Sequence, residues 1–183
     1  MHPSDALIAH YRAMAGNNAW SNYRLHVACA ALSERDYRAK RTSFFPSLHL
    51  TLRHILEVDR FYIDQLEGTG TERRDMDYNL AIETLADLTP AQRAMDRRLI
   101  AYCARLTPAT LAEPVVLRRS DGSRPIDPAA AVLAHLFVHQ IHHRGQVHAM
   151  LAGTRVAAPQ LDEFFLAEDA AKRAPDLRAL ELG

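Results

Sequence analysis

Residues 135–150 read HLFVHQIHHRGQVHAM. Together with Val132 upstream, the stripe Leu136, His139, His143, Val147 and Met150 recurs at intervals of four and three, the period of an α-helix that buries one face. Histidine stands at two positions where a hydrophobe is expected. Residues four apart on a helix differ by about 40° of rotation and ~6 Å of rise, so His139 and His143 lie one turn apart on the same face, within reach of a single ion. An imidazole buried among Val, Leu and Met is unfavourable unless its nitrogens find partners. A hydrogen-bond network would satisfy one such ring; a pair at ligand spacing points instead to a metal.

Helical periodicity continues on either side. Leu7, Tyr11, Met14, Asn18, Asn22, Leu25, Cys29 and Leu32 form one stripe, which predicts a first helix over 4–32 with two asparagines facing each other or a neighbouring helix. SERDYRAKR reads as a polar connection. A second helix is expected from Pro46 to Leu66, stopped by Gly68. Thr89, Pro90 and Gln92 read as cap, first-turn proline and capping-box partner of a third helix ending near Leu106, whose stripe of Met95, Leu99, Tyr102 and Leu106 carries no metal ligand. Short extended runs around Asp121-Gly122 predict a hairpin. Asp127 and Pro128 open the fourth helix, Gly153 closes it, and a shorter helix is expected over 161–171. The fold class is all-α: four long helices, a small β-hairpin before the fourth, and a short C-terminal helix, in one domain spanning residues 1–183.

A third ligand must come from another helix, since His135 lies ~12 Å along the axis from His143. In SLHLTLRHILEVDRFYIDQLEG, residues 47–68, His54 falls on the inward flank with Leu50, Val58 and Phe61, whereas His49 falls on the polar face with Arg53, Glu57 and Asp64 and reads as solvated. Asp59 sits in the core stripe about 140° from His54, so the two do not serve one ion. His54, His139 and His143 would suit Zn, Ni or Cu, and His139, His143 and Asp59 would resemble the two-histidine, one-carboxylate set of iron. The first set is preferred, with Asp59 as a hydrogen-bonding partner in the core. His135 and His142 lie off the stripe, Arg144 points away from it toward an ion pair, and Gly145 inside the helix hints at close approach by another helix or chain.

Composition excludes several classes. Lys plus Arg and Asp plus Glu both number 22, and the formal charge is zero. No basic face marks a nucleic-acid binder. No apolar run approaches the ~20 residues of a membrane span, and the N-terminal residues lack the pattern of a secretory signal, so a cytoplasmic location is expected. Cys29 and Cys103 are isolated and read as small core residues.

These motifs, with NNAWSNYRL at 17–25 and APQLDEF at 158–164, resemble the DinB/YfiT-like family of bacterial metalloenzymes over nearly the whole chain. The resemblance implies a four-helix up-down-down-up bundle, three metal-binding histidines mapping onto His54, His139 and His143, and a homodimer. Relatives include thiol-dependent transferases and a thiol-dependent isomerase. The expected function is therefore a metal-dependent enzyme acting on a small molecule, with a divalent transition metal, Zn or Ni, and a low-molecular-weight thiol as a candidate co-substrate. Hydrolysis at the metal is a further option, and a non-catalytic, metal-binding stress-response protein is the alternative. No catalytic base is assigned.

Overall fold

A computed structural model describes residues 3–70 and 82–182. Four long helices dominate: α1 (Pro3–Ala30), α3 (Leu48–Leu66), α4 (Leu85–Ala104) and α6 (Ala129–Ala152). Shorter elements join them: α2 (Glu34–Arg38), α5 (Pro108–Ala112), the strands β1 (Pro114–Val116) and β2 (Ile126–Pro128), a 3-10 turn over Ala167–Asp169, and α7 (Ala170–Ala179). No described helix is long and apolar enough to cross a membrane.

The helix starts follow local capping chemistry. Ser47 accepts the Leu50 N–H at 3.1 Å and begins α3 two residues after the proline expected to open it. Thr84, not Thr89, caps α4: it accepts the Asp87 N–H while its hydroxyl binds the Asp87 carboxylate at 2.7 Å. Pro90 consequently lies inside α4, and Gln92 turns into the core instead of closing a capping box. Within the supposed connection, Ser33 caps the single turn of α2. The strands pair antiparallel with Val115 opposite Asp127, and Gly122 supplies the positive φ of 83° that the turn needs. Pro128 ends β2 and immediately precedes α6. The C-terminal helix starts later than its expected 161–171, because no residue of α7 is buried and so no apolar stripe marks it. Asp176 docks it, accepting from Trp20 Nε1 at 3.0 Å and Arg24 Nε at 2.7 Å.

Packing runs α1 against α4 and α6, and α3 against the same two helices. Two large apolar clusters fill the bundle interior, and a third, of Val115, Leu117, Ala129 and Val132, sits at the hairpin. Of the two large ones, one gathers Tyr11, Leu99, Leu133, Leu136 and Phe137, and the other Leu25, Leu52, Leu56, Leu88, Val147 and Leu151. Both cysteines are buried.

Between the two large clusters lies a buried polar layer. Asn18 and Asn22 donate to Asp96 Oδ1 at 3.1 and 2.9 Å, as their stripe position anticipates. Gln92 donates to Asp59 Oδ2 at 2.7 Å, and Gln140 donates to Asp59 Oδ1 and to the Ile55 carbonyl at 3.1 Å. Arg144 Nη1 donates to Asn18 Oδ1 and, at 3.5 Å, to Asn22 Oδ1. Every long helix contributes. Burial, followed by the neighbouring Asp96 charge, pushes the Asp59 carboxyl up to about 7, and burial pushes Asp96 up to about 6. Arg144, the cation facing both, is drawn down to about 10 by burial.

Candidate metal centre

Helical geometry dictates the local arrangement. His139 and His143 are one turn apart on α6, and His54 faces them from α3. One ring nitrogen from each lies within 4.8 Å of the others, and the Nε2 atoms of His54 and His139 are 3.1 Å apart. Ring centroids are separated by 5.0 Å for His54 and His139, 4.6 Å for His54 and His143, and 4.4 Å for His139 and His143.

That donor set fits a cation. Two nitrogens each ~2.1 Å from one ion would lie about 3.0–3.4 Å apart for neighbouring coordination positions, the range in which the His54 and His139 nitrogens stand. Burial together with the positive charge of neighbouring rings holds His54 down at about 4 and His139 at about 3, and burial lowers His143 as well. Each shift favours the neutral ring, whose lone pair a metal requires.

Neighbours set the orientation of the rings. His143 Nδ1 lies 2.9 Å from Gln146 Oε1, so the neutral ring donates there and leaves its Nε2 lone pair free. The Gln146 amide in turn donates to His142 Nε2 at 2.9 Å. Phe45 packs against His54 with centroids 4.3 Å apart and against His143 at 5.7 Å, forming an aromatic wall from the loop before α3. Sequence reading missed Phe45, because a loop residue carries no periodic signal. Gln146 was visible as the residue three beyond His143, but nothing in the sequence assigned it the ring.

The other candidates go elsewhere. Asp59 is not in the histidine cluster; both of its oxygens are engaged by Gln92 and Gln140. His49 is buried, not solvated: the ring of Tyr37 on α2 meets it edge-on at 5.6 Å. The unanticipated α2 covers the face of α3 that looked polar. Arg144 is also buried, and its hydrogen bonds go to the two asparagines of α1. No other helix of this chain approaches Gly145 closely among the described residues, since a Cβ there would meet nothing within 4 Å.

A mostly helical fold that brings imidazoles of two helices to one point belongs with the helical proteins built around a candidate three-histidine metal centre. The chain belongs to the DinB family, whose model matches residues 7–175. No curated protein matches it.

Proposed function

We propose that the protein is a metal-dependent enzyme acting on a small molecule, with His54, His139 and His143 holding a divalent transition metal, Zn or Ni. The observation that carries this reading is the convergence of three ligand atoms within 4.8 Å. Among the described residues the cluster has three members, which leaves coordination positions for a water or substrate, as catalytic sites require. An ion of this kind lowers the pKa of a bound water or thiol toward neutrality. The chain's own residues do the positioning: Gln146 fixes the tautomer of His143, and Phe45 shields one side of the site from water. Thiol transfer ranks above hydrolysis by analogy with family members alone.

The four long helices are read as an up-down-down-up bundle. Several pairings support this. Arg12, Asn18 and His26 of α1 meet Cys103, Asp96 and Thr89 of α4, in opposite directions. Asp59 and Asp64 of α3 meet Gln92 and Arg98 of α4 in the same direction. Tyr11 and Asn18 of α1 meet Ala130 and Arg144 of α6 in the same direction.

Metal analysis of untagged protein, purified without a nickel column, tests the centre. About one divalent ion per chain is expected, falling by at least ~100-fold in affinity in His54→Ala. Unchanged stoichiometry and affinity in that variant would sink the assignment.

A further inference from the structure

His143 and Arg144 face opposite ways. One step along α6 rotates the side chain by about 100°, so the histidine meets α3 and the arginine meets α1. On the α1 side, away from His54, His139 and His143, a cavity of about 350 Å³ opens between α1, α6 and residues 160–162, with His148 of α6 in its wall. Asn17 and Ser21 line it from α1, Arg144 and Gly145 from α6, and Asp162 from the segment that follows. Three stretches quoted from the sequence, NNAWSNYRL, HHRGQ and APQLDEF, therefore meet around one space. The histidine centre draws on only the second of them.

The floor of this cavity holds uncommitted donors. Asn17 and Ser21 are buried, yet neither side chain makes a hydrogen bond among the described residues. Arg144 is 3% exposed and commits only Nη1, leaving Nε and Nη2 without a partner among the described residues. None of these donors is sealed from solvent. A guanidinium fork with two free N–H directions matches a carboxylate, and the adjoining amide and hydroxyl add donors to the same anion. At the mouth, Asp162 is exposed and forms no ion pair among the described residues. Its charge disfavours a dianion such as phosphate and attracts a cation at the ligand's other end.

We propose that this cavity binds a small amino acid-like zwitterion, its carboxylate on Arg144, Ser21 and Asn17 and its ammonium facing Asp162. The site is independent of the histidine centre. Gly145 makes it testable, because the space where its Cβ would project is open and a larger side chain there occupies the cavity while strengthening the helix.

Calorimetric titration of the full, metal-free chain with 4-aminobutyrate is the experiment, with butyrate and butylamine as half-ligands. Saturable binding is expected, tighter than for either half-ligand. Gly145→Leu should weaken it by about tenfold or more through lost volume, and Ser21→Ala by roughly fivefold, the loss of one neutral hydrogen bond. His54→Ala should leave it unchanged. No saturable binding up to roughly 10 mM overturns the proposal. So does binding indifferent to Gly145→Leu, or binding lost in His54→Ala and kept in Gly145→Leu. A solution dimer that Gly145→Leu dissociates, with neither form binding 4-aminobutyrate, also overturns it, since the face then belongs to a second copy.

Discussion

Replacing Asp59 by asparagine should make the protein less sensitive to rising pH. In the wild type both carboxylate oxygens accept from glutamine amides, while Gln92 Oε1 and Gln140 Oε1 are buried without a partner. A protonated Asp59, or an asparagine amide, offers the missing donor to either glutamine oxygen once that amide turns over. Burial and the Asp96 charge raise the Asp59 carboxyl from 3.8 to about 7. The folded state therefore holds its proton more tightly than the unfolded chain does, so this contribution to stability is full below the unfolded value and is lost as pH rises through the folded one. With those two values the linkage relation gives about 3 kcal/mol at pH 5 and almost nothing at pH 8. Urea denaturation of wild type and Asp59→Asn, both with chelator present, measures the difference at each pH. Histidine contributions of the opposite sign are common to both proteins and cancel. The difference should move by about 2–3 kcal/mol in favour of the variant between pH 5 and 8. A difference that stays flat to within ~0.5 kcal/mol over that range would refute the reasoning.

Two further substitutions probe other parts of the fold. Gly145→Ala should raise the urea midpoint by an amount equivalent to about 1 kcal/mol, since helix propensity improves and no atom stands within 4 Å of the new Cβ. A lower midpoint would mean that this face is covered. Asp176→Ala removes the acceptor shared by Trp20 Nε1 and Arg24 Nε, and Trp20 is the chain's single tryptophan. Its emission should shift to the red as α7 loosens, with a stability loss of about 1–3 kcal/mol; an unchanged spectrum at unchanged stability would show that α7 is held by other contacts.

The long helices were legible because each buries a stripe that spans several turns. The Leu7-to-Leu32 stripe and the stripe from Val132 to Met150 outline α1 and α6 to within a few residues. Elements without such a stripe were not. The five residues of α2 bury only Tyr37, and α7 buries none. Thr89 with Pro90 and Gln92 read as the start of α4, whereas Thr84, which the capping-box pattern passed over, caps it with the Asp87 carboxylate on its hydroxyl. His54 could be read from its inward flank. The burial of His49 could not, since it depends on a short helix packing over it. Asp96 stood unnoticed beside Met95, because a charged residue next to a core stripe looks like surface until three partners from α1 and α4 close around it.

The polar layer also explains how the histidines hold their positions. Gln140 and Arg144 follow His139 and His143 by one residue each, so the two pairs share the same four-residue spacing. Gln140 donates to the carbonyl of Ile55, the residue after His54, at 3.1 Å, and Arg144 is bound to Asn18 and Asn22 of α1. Sliding α6 by one residue, or rotating it by the ~100° that accompanies such a step, would leave a guanidinium and an amide buried without partners. Apolar side chains alone tolerate such slips far better than buried polar groups whose existing hydrogen bonds the slip would break. The layer therefore locks the register of α6 against α3, and the 3.1 Å approach of His54 to His139 follows from that register. Within this fold, a costly buried cluster positions a pair of rings that hydrophobic packing would leave loosely placed.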